Sequence, residues 1–146
     1  GRTKGSLRKT GGDVYFDDVP VGPVETRRPA QWRNATAYVM QSFSLLPSLT
    51  VRETLDFSAG LLADVRGPRK DVVVGKWIGK LGLAKCAGTL ASRCSGGERR
   101  RVAVAIQLLT NPPCCCLDEP TTGLDAAASW RVLDVLASLA KDTCVI

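Results

Sequence analysis

The chain has 146 residues, a length that fits one domain or part of one and is enough to bury a core. With 45% hydrophobic and 23% charged residues, it is excluded from the class of chains disordered throughout. The net charge of +6 suits a nucleic acid, an anionic membrane surface or a phosphate-rich ligand, and selects none of them.

The chain opens abruptly on Gly1-Arg2-Thr3-Lys4-Gly5, without a charged-then-apolar leader. Gly11-Gly12 before Asp13-Val14-Tyr15-Phe16 predicts a turn into a strand, and the stretch with Pro20, Gly22, Pro23 and Pro29 reads as loop-rich. Ala35 to Met40 is a second strand, ending at Gln41. Thr50-Val51-Arg52-Glu53 is a capping box that opens a helix to about Leu62. Gly67-Pro68 breaks the pattern, and Asp71 to Leu81 predicts another helix. Ser95-Gly96-Gly97-Glu98 is a second capping box, for a helix to about Leu109 that Pro112-Pro113 stops. The run Arg99-Arg100-Arg101 reads as a solvated face of that helix. Cys114 to Leu117 is all apolar, the pattern of a strand buried on both faces, and it ends in Asp118-Glu119. From Ala126 to Ala140, the residues Val132, Leu133, Leu136, Leu139 and Ala140 fall at helical spacing. Thr143 to Ile146 returns to strand and reads as a strand cut short, so both ends predict a fragment.

Strands and helices alternating in this way predict an α/β fold with a parallel sheet, and a helical insert between Gln41 and Ser95. No apolar run approaches the roughly 18–20 residues that span a bilayer. Six cysteines raise the question of a disulfide scaffold, but Cys114, Cys115 and Cys116 are consecutive and point alternately to opposite strand faces. No Cys-x-x-Cys pair and no histidine occur, which argues against a zinc site. The expected role of cysteine is a small buried hydrophobe in a reducing compartment.

Two segments carry chemistry. A buried strand ending in Asp118-Glu119 delivers two carboxylates to the C-terminal edge of a parallel sheet, where ligands bind in such folds. An aspartate there can hold Mg²⁺, and the adjacent glutamate can orient or deprotonate a water aimed at a γ-phosphate. Ser95-Gly96-Gly97 at a helix start offers free N–H groups and the positive end of the helix dipole to an anion, although taken in isolation a plain helix cap is the better explanation of the serine.

The order of these segments, with Thr122-Gly123-Leu124-Asp125 directly after the carboxylates, resembles the signature motif, Walker B strand and D-loop of ABC ATPases. Tyr38-Val39-Met40-Gln41 followed by Leu46 to Leu55 is similar to the Q-loop region of the G (white/eye-pigment-type) transporter subfamily. Ser95 to Val102 and Leu108 to Pro112 are similar to it as well. The resemblance covers nearly the whole chain. Cys94 stands where the family usually has a larger aliphatic residue, and cysteine is apolar enough to pack there. The P-loop pattern G-x-x-x-x-G-K-[ST] occurs nowhere, since Gly75-Lys76 and Gly79-Lys80 lack the earlier glycine and the following hydroxyl. The family's switch histidine is missing too, and Gly1-Arg2 looks like the tail of the helix after the P-loop.

The resemblance implies an incomplete P-loop NTPase-like domain over 1–146. Residues 1–41 and 110–146 would form the α/β core, and about 42–109 a helical subdomain. It implies ATP and Mg²⁺ as ligands. Asp118 would hold the metal through water, Gln41 would touch the metal or the attacking water, and Glu119 would be the general base. Ser95, Gly96, Gly97 and Glu98 would meet a γ-phosphate held by a second ATPase domain, and Asp125 would lie at the seam between the two. A transmembrane part would follow in the same chain, placing this domain on the cytoplasmic face of a membrane. The implied activity is hydrolysis coupled to transport of a lipid-like or other hydrophobic substrate, with no nucleic acid as partner. These residues alone would not hold ATP. A soluble ABC ATPase acting on ribosomes or DNA, or a catalytically inactive regulatory half, are the alternatives. The first is disfavoured by the lack of aromatics interleaved with basic patches.

Overall fold

The computed structural model describes residues 7–10, 13–16, 19–21, 36–41, 43–62 and 67–146. The Gly1-Arg2 helix tail, the Gly11-Gly12 turn and the loop around Pro23 and Pro29 lie outside them. Three short strands, β1 (Leu7–Thr10), β2 (Asp13–Phe16) and β3 (Val19–Val21), form an antiparallel sheet in the order β1-β2-β3. The strand at Asp13 is as expected, whereas Pro20, read as loop, stands in β3 opposite Tyr15. Proline offers no N–H to a ladder, and β3 is an edge of this sheet among the described strands, where that donor is not needed.

The second sheet is parallel, as expected, in the order β4 (Thr36–Val39), β5 (Cys114–Leu117) and β6 (Cys144–Val145). A central position explains why β5 is apolar throughout. Cys114 and Cys115 are buried, but Cys116 and Leu117 are only half-buried. The strand therefore emerges from the core towards its C-terminal end, where the carboxylates follow.

Between β4 and β5 lie three helices. Thr50 caps α1 (Val51–Leu62), accepting from the Glu53 N–H at 3.2 Å, while the Glu53 carboxylate accepts from the Thr50 N–H at 2.8 Å. The next helix, α2 (Pro68–Lys80), begins three residues before the expected Asp71. Gly67 turns the chain at φ 61°, and Pro68 occupies the first turn, where its missing N–H has no helical partner to lose. The Gly-Pro pair therefore starts the helix instead of interrupting the pattern. Two single 3₁₀ turns, Ala84–Cys86 and Ala91–Arg93, lead to α3 (Gly96–Leu108). Asn111 at φ 52° ends that helical stretch in the left-handed region that asparagine tolerates.

After β5 comes α4 (Ala126–Leu139), whose Val132, Leu136 and Leu139 are buried. Leu133, counted with them on spacing, is instead exposed. One continuous core joins α1, α2 and α3 to β4, β5 and α4, with Leu55, Leu81 and Leu83 fully shielded, each contributing about 2 kcal/mol by burial. Cys94 lies in that core, as its apolar character allowed. All six cysteines are free thiols. Among the described residues no helix is long and apolar enough to cross a membrane.

The arginine run departs most from expectation. Only Arg99 is exposed, while Arg100 and Arg101 keep 4% and 8% of their surface. Successive helical residues turn by about 100°, so three in a row sweep most of the circumference. Because α3 packs against α1, α2, α4 and β4, two of the three must enter the interior.

Candidate functional site

Parallel pairing of β4 with β5 sets the first part of the site. Val39 stands opposite Leu117, so Gln41 and Glu119, each two residues further on, leave the sheet side by side. The Asp118 N–H extends the ladder by one bond, to the Val39 carbonyl at 2.9 Å. Asp118 and Glu119 are both exposed. The Tyr38 hydroxyl donates to Asp118 Oδ2 at 3.0 Å, and this bond, more than desolvation, raises the phenol pKa above its ordinary value. Glu119 holds φ at 44°, a left-handed conformation that costs a non-glycine residue about 1–3 kcal/mol. That turn directs its carboxylate to Gln41 and Thr122. Gln41 Nε2 donates to Glu119 Oε2, and Thr122 Oγ1 donates to the same oxygen at 2.9 Å.

Arg100 locks these pieces together. From α3 its guanidinium donates to the carbonyls of Met40 at 2.7 Å, Gln41 at 3.0 Å, Asp118 at 2.6 Å and Pro120 at 3.1 Å. The Phe43 ring lies 5.7 Å from it. Burial lowers its pKa while the Asp118 charge opposes that shift. A planar fork with five donors suits four carbonyls on two separate chain segments in a way a single ammonium cannot.

The start of α3 forms the second part. Ser95 is exposed, and its Oγ accepts from the Glu98 N–H at 3.3 Å while donating to Glu98 Oε2 at 2.9 Å. Glu98 also accepts from the Ser95 N–H at 2.8 Å, and these bonds hold its carboxyl below the ordinary range. Ser95 therefore does cap its own helix, and Glu98 faces back onto Ser95. The two glycines allow close packing within the chain. A Cβ on Gly96 would lie 3.1 Å from Leu124 Cδ2, and one on Gly97 would lie 3.1 Å from Ala128 Cβ. Asp125 Oδ1 accepts from the Ala128 N–H at 2.8 Å and caps α4, so two helix starts stand side by side. A hollow of about 270 Å³ joins the two parts, touching Gln41, Gly96, Arg99, Arg100, Thr122 and Gly123. A larger hollow of about 320 Å³ lies at the opposite end of β5, near Pro112 and Pro113, with lysines on its wall and none of the paired carboxylates.

The sequence profile described as ABC transporter matches residues 3–122, which is most of the chain. The chain belongs to the ABC transporter family. It is 47% identical over 119 residues to ABC transporter G family member 1 of Dictyostelium discoideum, covering 75% of this chain and 15% of that protein. ATP-binding cassette sub-family G member 8 of Homo sapiens is 39% identical over 152 residues, covering 97% of this chain and 21% of that protein. The Broad substrate specificity ATP-binding cassette transporter ABCG2 of Bos taurus is 39% identical over 137 residues, covering 89% and 20%. The chain thus spans about a fifth or less of the length of these curated relatives. The G-type wording around Gln41 and Ser95 agrees with these names.

In this ABC transporter chain, the exposed carboxyl oxygens of Asp118 and Glu119 and the amide of Gln41 are hard donors at an open sheet edge. That donor set fits Mg²⁺, which favours carboxylate oxygen and keeps several waters. Three participants were not singled out from sequence. Arg100 was hidden within a charged run, and nothing in a single sequence says which arginine turns inwards. Tyr38 occupies an exposed position on β4, whose alternation of buried and open residues was the one available signal. Thr122 was read only as part of the D-loop region, and its bond to Glu119 depends on the turn at Glu119.

Proposed function

We propose that this chain forms part of an ATP-hydrolysing domain coupled to membrane transport, with about 42–109 as its helical subdomain. The observation that carries this reading is the hydrogen bond between Gln41 and Glu119, which sets an amide and a carboxylate side by side next to Asp118. Glu119 takes the proton of a water as its oxygen attacks the γ-phosphorus and the bond to the leaving diphosphate breaks. Gln41 orients that water, and Thr122 holds the Glu119 carboxylate towards it. Asp118 would hold Mg²⁺, and Tyr38 fixes the aspartate's direction. When bound, Mg²⁺ neutralises charge on the phosphate oxygens.

Ser95 turns its hydroxyl from Glu98 to a γ-phosphate held by a second ATPase domain, beside the N–H groups of Gly96 and Gly97, with Glu98 keeping the Ser95 N–H and Asp125 at the seam. A membrane-embedded part of the same protein uses the closing and opening of that pair to move a lipid-like or other hydrophobic substrate. The test is Glu119→Gln in the full-length transporter. ATP binding is retained and turnover falls by about 10²–10⁴-fold, the range for loss of a general base. Wild-type turnover in that variant removes Glu119 from the role.

A further inference from the structure

Directly behind the Ser95 turn lies a group of side chains of which the proposed hydrolysis uses only Glu98, as a brace for Ser95. Cys86 ends one 3₁₀ turn, Cys94 closes the next, and Glu98 stands in the first turn of α3. Their two sulfurs and a carboxylate oxygen lie within 4.8 Å of one another. Both thiols are buried, and Glu98 is half-buried. Ligand atoms around a tetrahedral zinc ion sit about 3.5–3.8 Å apart, so contraction of about 1 Å brings this set onto a metal. Two thiolates and a carboxylate select a thiophilic cation over Mg²⁺ or Ca²⁺.

A second observation points the same way. Arg101 is 8% exposed, and its Nε is buried without a hydrogen-bond partner. It lies close enough to Cys86 and Glu98 for its charge to act on both. Two thiolates, one carboxylate and a divalent ion carry one net negative charge, which the buried Arg101 guanidinium can balance.

We propose that Cys86, Cys94 and Glu98 form a site for a thiophilic divalent cation, Zn²⁺ in a cell, which restrains the Ser95 turn when occupied. Binding releases the two thiol protons to solvent and forms two metal–sulfur bonds and one metal–oxygen bond, with water completing the coordination. Glu98 then holds both the metal and Ser95, which ties the Ser95 turn to Cys86 and Cys94. The restraint on hydrolysis rests on the function proposed above, whereas the metal site does not.

The test uses the full-length protein and Cd²⁺, whose bonds to thiolate absorb in the ultraviolet. Cys94→Val restores an aliphatic residue at a buried position and keeps the fold. Wild type shows a thiolate–metal band that Cys94→Val lacks, with affinity for the metal at least about 100-fold lower in the variant. Zn²⁺ slows ATP hydrolysis in wild type and leaves Cys94→Val unaffected. A band of equal strength and affinity in the two proteins, or no band in either, overturns the site. A band confined to wild type with equal Zn²⁺ sensitivity of hydrolysis in both overturns the restraint. Absence of hydrolysis in both proteins refutes the proposed function, while the band still decides the metal site.

Discussion

Replacing Arg100 is the most informative perturbation of this structure. One buried guanidinium makes four charge-assisted hydrogen bonds, to the carbonyls of Met40, Gln41, Asp118 and Pro120. At about 1.5–3 kcal/mol each, four such bonds would sum to roughly 6–12 kcal/mol if nothing replaced them. Met40, Gln41 and Asp118 are exposed residues, so their carbonyls regain water when the side chain is removed. The expected net loss for Arg100→Met is therefore about 3–4 kcal/mol of folding stability. Arg100→Lys keeps the charge but cannot bridge both segments, and it loses about half as much. Gln41 and Glu119 also lose their common brace, and misplacement by about 1 Å costs about 100-fold in rate. Arg100 does not reach the phosphates in the proposed arrangement, so kcat falls while KM for ATP changes little. The measurements are urea unfolding and steady-state ATP hydrolysis on the full-length transporter. An Arg100→Met protein with wild-type unfolding midpoint and wild-type kcat refutes the reasoning.

Further outcomes follow from the same geometry. Ser95→Ala removes the α3 cap and lowers stability by about 1 kcal/mol, read by thermal or urea unfolding. Glu98 has its carboxyl pKa lowered from 4.5 in the folded protein by its bonds to Ser95, so its contribution is complete above the ordinary range and vanishes as pH falls through the lowered value. Stability plotted against pH should therefore lose part of its acid limb in Glu98→Gln. Gly97→Ala brings a methyl to 3.1 Å from Ala128 Cβ and costs about 1–3 kcal/mol. Combining it with Ala128→Gly should reveal a coupling of at least about 0.5 kcal/mol in a double-mutant cycle. Leu55→Ala opens the shared core and costs about 2–5 kcal/mol.

Most local signals in the sequence are read correctly where the physics is itself local, the exception being Gly67-Pro68, taken as a break although it starts α2. The capping boxes at Thr50 and Ser95 appear in the structure because each is closed by residues three apart. The strand at Cys114 is legible because a central parallel strand needs apolar residues on both faces, and the carboxylates after it mark the sheet edge. Misreadings begin where neighbours far along the chain decide. Pro20 takes a strand position because β3 is an edge, a fact about pairing that composition does not carry. Leu133 matches the helical period of α4 yet is exposed, because period alone does not set the width of the buried stripe.

The amino-acid sequence by itself determined the α/β class, the caps of α1 and α3, and the residue types that point to phosphate chemistry. Each depends on contacts within a few residues or on composition along one element. Only the tertiary structure decided that Arg100 turns inwards to four carbonyls, that Gln41 meets Glu119 across 78 positions, and that Cys86 approaches Cys94 and Glu98. Those relations arise when the packing of α3 against β4 and α4 and the β4–β5 register are set together, and long-range packing leaves no periodic mark in a single chain.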